Sequence, residues 1–555
     1  MRRFLPSRRF VPAFAPHLWS GALVLLVAAC GGGEAGPSAN EALGVLATVD
    51  SAVELPQAAT DLLPDDAFVV LRIESLDAFN GLSQDFRDLD GIHRTPVHVL
   101  KDLAGLGMTV GDHRDVDHAA PALLAVSFPK GGLVPAVTAI LPQNKAGGYR
   151  AVALGEAKAG PATGRCALAA GMPGGVFSLR VDAQAALKVY RPFLEMTMQQ
   201  VLQMASAMGA RQTGGMDVQA IMAMYVDMAR QLFDSAETLE VAVGRHDDAV
   251  ALIVRLDVLA DSMLAGQASA AAPLADFAGF ADPEAAVSFV YGMGEVASMS
   301  EGFLSRMAAT YPAGMRDAMA DVMAMSERFR PLMGNAGAGN FDLDGGMRYS
   351  MTFGPADAPA YVAAYDAMLE DADALATVGM HLNHRESVAD DSGTLHRYQY
   401  DFDLDVLMEQ LGTLPTPGLD QSALFSEQME IVLLPFATRL GILSGPQTVG
   451  ADRIARMRAQ LAAPPAVPAA YQPYLEWVGP TTPAGVMRLD MARLIGQFLG
   501  GSGFAEMFPD EGEAFRKLGR ERLPLTLFFA VENQAYRGGM TLDMADLGRV
   551  VEVMQ

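Results

Sequence analysis

What this chain lacks narrows it first. Only two cysteines, Cys30 and Cys166, occur in 555 residues, so no disulfide framework holds a fold together. After the N-terminus no uninterrupted apolar run reaches membrane-spanning length. The best stretch, residues 431–445, is short and is broken by Pro435 and Arg439, which argues against a polytopic membrane protein. Positive charge is scarce as well: 40 Lys and Arg stand against 65 Asp and Glu, a net charge of −25, and only six of the cations are lysine. Such a surface repels polyanions and disfavours DNA or RNA as a partner. The local marks of familiar catalysis are missing too. Gly500-Gly501-Ser502-Gly503-Phe504 fails a G-x-S-x-G elbow at its last position, and neither H-E-x-x-H nor G-x-x-x-x-G-K-[ST] occurs. The chain is therefore read as a non-enzyme, with an unrecognised hydrolase or metalloenzyme as an alternative that has no motif behind it.

What is present is a recurring change of period. In residues 484–500, Met487 and Leu489 alternate with Val486, Arg488 and Asp490, as along a strand. Leu494, Ile495, Phe498 and Leu499 then follow helical spacing. Asp490 stands at the change, where a carboxylate accepts from the free N–H groups of a first helical turn. The same junction is read at 72–79, 178–187, 255–264, 400–411 and 540–550. With 51% hydrophobic residues over this length, two to four domains or repeats are expected. The expected fold class is α+β, made of repeated units of antiparallel strands with helical hairpins packed on the sheets.

Residues 1–29 read as a processing segment, outside the fold. Arg2, Arg3, Arg8 and Arg9 precede an apolar run at 18–29, and Val27-Ala28-Ala29-Cys30 resembles the lipobox of bacterial lipoproteins. The resemblance implies cleavage between Ala29 and Cys30, diacylglycerol on the Cys30 sulfur and acylation of the new amino group. Acyl chains, at about 0.8 kcal/mol per buried methylene, anchor a protein without a spanning helix. An ordinary signal peptide with a chance cysteine is the alternative. Gly31 after the cysteine implies, by the same resemblance, the outer membrane, with the body facing the periplasm. Ser7-Arg8-Arg9-Phe10 is similar to a twin-arginine signal with its aromatic one place early. Residues 30–61, rich in Gly, Ala, Ser and Glu, read as a flexible tether. With Cys30 acylated, Cys166 is expected to pack as a small apolar residue in a strand.

A first unit is expected over 62–264. It opens with the turn Leu63-Pro64-Asp65-Asp66 before a strand at 67–73, followed by hairpins at 121–141 and 166–182. Two apolar stripes then predict an αα-hairpin: Leu187, Tyr190, Leu194, Met198, Val201, Met204 and Met208, and Val218, Ile221, Tyr225, Met228 and Leu232. A strand pair at 238–256 closes the unit. A Gly/Ala/Pro-rich boundary at 265–283 separates it from a second unit at 284–462, which holds Met-rich helices at 296–333 and a long hairpin at 378–404. A Pro-rich break at 463–483 precedes a partial third unit at 484–555. This order resembles a group of uncharacterised bacterial envelope proteins, built from repeated α+β units that open with a Pro-Asp-Asp-type turn. That group carries no catalytic residues to transfer.

Three clusters are weighed as metal sites. Asp112, His113, Asp115, Asp117 and His118 place five potential ligands in seven residues, either round one cation or as a solvated acidic loop. Asn340 to Gly345 matches the opening of a calcium loop, but Met351 stands where the twelfth-position carboxylate belongs, so a hairpin turn is expected. His381, His384 and His396 share one hairpin. The first two, an odd number apart, are expected on opposite faces. No cofactor is expected. Methionine is abundant, 33 residues, with Met204/Met208, Met224/Met228 and Met315/Met319/Met323 a helical turn apart. These read as core packing, with Cu(I) or an apolar guest as alternatives.

The expected role is non-catalytic: an envelope interaction or structural protein, held to the membrane by its anchor and partnered by an envelope protein or an apolar small molecule. A carrier of lipids or other apolar ligands through the Met-rich helices is the alternative.

Overall fold

The computed structural model describes residues 38–85, 96–105, 110–128, 135–144, 148–153, 166–209, 218–262, 274–292, 334–342, 347–354, 357–370, 380–390, 393–403, 428–446, 448–479, 483–500, 509–532 and 534–554, together with Met108, Ala265 and Leu332. Up to Ala153 the chain forms α1 (Ala39–Asp50), β1 (Ala52–Val53), α2 (Gln57–Thr60), β2 (Ala67–Ile73), α3 (Leu76–Asp85), α4 (Pro96–Gly105), β3 (Ala122–Ser127), β4 (Ala136–Pro142) and β5 (Tyr149–Ala153). Next come β6 (Met172–Pro173), β7 (Phe177–Asp182), α5 (Ala183–Gly209), α6 (Val218–Ser235), β8 (Ala236–His246), β9 (Ala249–Val258) and α7 (Ala275–Ala278). The middle of the chain holds β10 (Val287–Gly292), β11 (Ala336–Asp342), β12 (Arg348–Phe353), α8 (Ala358–Leu369), β13 (Met380–Asp390), β14 (Gly393–Phe402), β15 (Gln428–Phe436) and β16 (Arg439–Pro446). It ends with α9 (Ala451–Ala462), α10 (Gln472–Val478), β17 (Ala484–Asp490), α11 (Met491–Gly500), α12 (Pro509–Leu518), β18 (Pro524–Glu532), β19 (Ala535–Asp543) and α13 (Met544–Met554).

This is a mixed α+β fold. Strands β1 and β6 make a small ribbon, and the other 17 strands form one sheet. Followed by its pairings, the sheet runs β13-β14-β15-β16-β12-β11-β10-β17-β18-β19-β9-β8-β7-β2-β3-β4-β5, antiparallel at every step. The strands of 484–555 thus stand between those of 62–264 and those of 284–462. Five stretches of chain take the same path: a strand, a long connection, its antiparallel neighbour, then a third strand beside the second. They are β2-β3-β4, β7-β8-β9, β10-β11-β12, β14-β15-β16 and β17-β18-β19. Where the third strand returns through two residues, as after His246 and Phe436, the first turn residue is left-handed: Asp247 at φ 51° and Ala437 at φ 47°.

In much of the sheet, as along β15, both faces are buried and the strands read as near-continuous apolar runs. On β17 and β18 one face stays partly open, with Met487 at 39% and Phe529 at 38% exposure. Along β15, Val432 and Leu434 join one core while Ile431 and Leu433 join another on the opposite face. The first and largest core is roofed by α1, by residues 274–281, and by α9 and α10. Its opposite number beneath β8, β9 and β19 is closed by α3, α11, α12 and α13.

The roof corrects the sequence reading at three places. The tether expected at 30–61 contains α1, whose Ser38 and Glu41 form a reciprocal capping box and whose Ala42, Val45, Leu46 and Val49 are buried. The boundary expected at 265–283 contributes Leu274, Phe277, Ala278, Phe280 and Ala281 to the same core. The break expected at 463–483 contributes Tyr471, Tyr474 and Val478. The last two segments are short and lack a sustained helical period, whereas α1 does show one, with Ala42, Val45, Leu46 and Val49 on one face; the sheet uses all three as cover. The hairpin expected at 166–182 is also replaced: 167–169 is a 3-10 turn, and β6 pairs with β1.

The seat of α1 depends on a missing side chain. A Cβ on Gly244 of β8 would lie 2.2 Å from Val49 Cγ2 and 3.3 Å from Val45 Cγ2. Leu46→Ala is expected to cost about 2–4 kcal/mol by leaving a cavity, and Gly244→Ala about 1–3 kcal/mol by overpacking. Urea unfolding of the two variants tests this; if both are neutral, α1 is not part of the core.

Candidate functional site

The strand-to-helix junctions are structural. At Asp490, Oδ1 accepts from the Arg493 N–H at 3.2 Å and the Leu523 N–H at 3.1 Å, and Arg522 Nε lies 2.5 Å from Oδ2. One carboxylate thereby caps α11, ties it to the start of β18 and is neutralised in place. Asp182 Oδ1 accepts from Ala185 N–H at 2.8 Å, and Asp543 Oδ1 from Ala545 and Asp546 N–H at 2.8 and 3.0 Å. At 72–79 the cap is Ser75, whose hydroxyl accepts from Ala78 N–H at 2.9 Å. The junction expected at 255–264 does not form: Asp257 stays in β9 beside Arg255 Nε at 3.0 Å, and a turn follows it. Residues 404–427 lie outside the described residues, and with them the helix expected after Asp403.

Two of the candidate ligand residues at 112–118, Asp112 and Asp117, act as turn caps. Asp112 Oδ1 accepts from Arg114 N–H at 3.0 Å and lies 3.4 Å from His113 Nδ1. Asp117 Oδ1 accepts from Ala119 N–H at 3.0 Å. The main chain of Asp115 pairs with Asp112 and Asn144, and the carbonyl of His118 accepts from Asp77 N–H. Among the described residues, no three His, Cys, Asp or Glu side chains converge to hold a metal ion. Ala29 and Cys30, like Met315, Met319 and Met323, lie outside the described residues. Cys166 is buried between Ile140, Ala169 and Met172, and burial pushes its thiol pKa up. It precedes a 3-10 turn and is not in a strand.

The histidine hairpin needs a correction in its geometry. The β13–β14 register shifts between Leu382 and His384, so His381 faces Asp401 and His384 faces Gln399. Asp401 and Gln399 are two apart, so the bulge puts both histidines on one face. His396 lies on the other, its Nδ1 2.9 Å from Ser387 Oγ. Under α8, the buried Tyr398 hydroxyl donates to Asp366 Oδ1 at 2.7 Å, and Arg385 Nη2 is 2.5 Å from Asp366 Oδ2. The Tyr365 and Tyr400 hydroxyls are 2.9 Å apart, and burial raises both pKa values. This network pins α8 to β14 with neutral phenols and a carboxylate already paired.

The feature that core packing does not explain is the α5–α6 pair. Leu187 is buried, and Tyr190 packs on Phe68 and Phe128 with ring centroids 6.2 and 5.9 Å away. From Arg191 to Met204 no residue of α5 with a described side chain is buried. Val189, Phe193, Met196 and Met204 project within one narrow arc of the helix, Phe193 at 58% and Met204 at 60% exposure. On α6, Tyr225 (51%), Met228, Leu232 and Phe233 are exposed as well. Of the large apolar side chains exposed among the described residues, most belong to this pair. The stripes predicted an αα-hairpin, and α5 and α6 do pack together. The expectation that Met204 and Met228 serve as core does not hold; Met224 alone of the described methionines in those pairs is buried. The signal available in the sequence was apolar residues on two faces of one helix, where a covered helix needs one.

No family model matches this chain, and no curated protein matches it. Among solved structures, crystal forms III, IV and I of TP0453 are similar at 11% identity, with TM-scores of 0.25, 0.23 and 0.23. They cover 50%, 51% and 51% of this chain and 97%, 96% and 98% of their own. At that TM-score the likeness supports no inference about this chain.

The junction at the start of α13 is sensitive to pH. Burial, with the Asp543 carboxylate beside it, pushes the Asp546 carboxyl up to about 6, against the pull of Arg549. The folded state holds this proton more tightly than the unfolded chain does. The group therefore supports the fold below its ordinary pKa of about 3.9, and that support is lost as pH rises towards the folded-state value. Asp546→Asn is expected to raise unfolding free energy by about 1–2 kcal/mol at pH 7 and by almost nothing at pH 4. Urea titrations at the two pH values check it; an equal effect at both removes Asp546 as the cause.

Proposed function

We propose that this chain is a non-catalytic lipoprotein of the bacterial envelope, anchored through acylated Cys30 in the outer membrane and facing the periplasm. Its five strand runs are, on this reading, copies of one α+β unit joined into a single scaffold. The scaffold's work is interaction, with an envelope component or an apolar molecule, and no reaction is assigned to it. The observation that carries the reading is the α5–α6 pair, which presents Phe193, Met196, Met204 and Tyr225 to solvent from an otherwise well-buried body. Isolated exposed apolar residues need no explanation, but a concentration of them marks an interaction surface.

The start of α1 supports the membrane placement. The described fold starts at Ser38, the cap of that helix and the eighth residue after Cys30. Eight residues reach at most about 28 Å. An anchor at Cys30 keeps the body against the bilayer. Mass spectrometry of the protein extracted from its native membrane is expected to find a mature N-terminus at Cys30 carrying acyl groups. An unmodified Cys30, or a mature N-terminus elsewhere, would falsify the placement.

A further inference from the structure

Arginines on this acidic body commonly hold a carboxylate: Arg180 holds Glu240, Arg191 holds Asp234, Arg493 holds Asp342, and Arg522 lies between Glu284 and Asp490. Three that do not hold one stand together where α9 begins over the sheet. Arg348 opens β12, and Arg453 and Arg456 lie about one turn apart on α9. The chain has 65 acidic residues against 40 Lys and Arg, yet among the described residues no carboxylate lies within ion-pair distance of any of the three. Arg348 and Arg456 are exposed and Arg453 is half-buried.

Two of these side chains meet over a glycine. A Cβ on Gly445 of β16 would lie 3.0 Å from Arg453 Nη1 and 3.8 Å from Arg348 Cγ. The Arg453 guanidinium is fixed by main-chain carbonyls: Nη1 donates to Ser444 at 3.1 Å and Nη2 to Tyr349 at 3.3 Å. These bonds hold the group in place and leave its charge uncompensated. Burial, then Arg348 and Arg456, lower its pKa against the pull of Asp342, so both neighbours act on it as like charges. The cross-strand carboxylates are already engaged. Asp342, opposite Arg348 on β11, accepts from the Ala286 N–H at 3.0 Å and lies 3.2 Å from Arg493 Nη2. Glu430, opposite Gly445 on β15, holds the Val449 N–H and Arg397. A single arginine makes both carbonyl bonds, so tying α9 to the strands does not call for the other two.

We propose that Arg348, Arg453 and Arg456 form a site for a phosphate group. A guanidinium meets an oxyanion through parallel N–H donors, and such charge-assisted bonds are roughly twice as strong as neutral ones. A carboxylate has two oxygens and is filled by one fork, whereas a tetrahedral phosphate has oxygens for three. Gly445 keeps the space between Arg348 and Arg453 clear of a side chain. A small phosphate ester and a lipid headgroup share this chemistry. The inference goes beyond the interaction role given above and rests on neither the Cys30 anchor nor the α5–α6 surface.

The test uses the full mature chain carrying Cys30→Ala, so that acyl chains contribute nothing. Calorimetric titration with inorganic phosphate, at constant ionic strength in chloride, is expected to show saturable binding, with acetate binding at least tenfold more weakly. Arg348→Gln with Arg456→Gln, both at exposed positions, is expected to cut phosphate affinity at least tenfold while the melting profile in chloride stays that of the parent. Asp452→Asn, which removes the acid beside Arg453 on α9, is expected to tighten binding about twofold. Phosphatidylcholine vesicles with and without phosphatidic acid separate the two sources. Flotation that needs phosphatidic acid and is lost in the double variant assigns a headgroup; phosphate binding without flotation assigns a small ester, and either result upholds the site. A folded parent that binds neither phosphate nor these vesicles, a double variant that binds as the parent does, or acetate bound as tightly as phosphate overturns it.

Discussion

The constraint behind this molecule is that a sheet of 17 antiparallel strands presents two apolar faces, and both have to be covered. The ladder satisfies the backbone donors and acceptors of every interior strand, leaving β13 and β5 as its edges. Consecutive residues of β15, Ile431, Val432, Leu433 and Leu434, are all buried because alternate side chains enter different cores. Each long connection between neighbouring strands therefore becomes a place to set covering helices. The edge strand β13 carries His381, His384, Arg385, Glu386 and Asp390 and a bulge, devices that discourage a further strand from adding there.

Polar groups buried in such a sheet act as straps between strand and cover. Glu430, fully buried on β15, accepts from the Val449 N–H at 2.5 Å, just before α9, and holds Arg397 Nη1 at 3.3 Å. The Tyr471 hydroxyl donates to Ser288 Oγ at 2.5 Å and so fastens the start of α10 to β10, while Tyr474 meets Thr541 of β19. Arg537 reaches the Trp477 carbonyl at 3.0 Å and lies over its ring. Each strap joins residues far apart in sequence. Losing one partner leaves the other buried without compensation, which costs more than the bond itself contributes. The roof therefore holds its position through bonds as well as through packing.

Legibility in the sequence followed the range of the interaction. The junction at Asp490 was readable because cap, strand and helix lie within a few residues. So were the stripes of α5 and α6, and the alternation that buries Tyr398 and Tyr400 along β14. Segments whose structure comes from distant partners were not readable. Residues 39–50, 274–281 and 471–478 fall in stretches that read as linkers because of the Gly-, Ala- and Pro-rich sequence around them, yet they roof the largest core. Only the first carries a local mark, Ala42, Val45, Leu46 and Val49 at helical spacing behind a Ser38/Glu41 capping box. The face shared by His381 and His384 was hidden by one unpaired residue, Asn383, since a bulge reverses the parity rule and leaves no mark in composition. The candidate site was half legible. Two apolar stripes were visible on α5 and α6, but which of them meets a neighbour and which meets solvent depends on how few strands lie within reach of the pair.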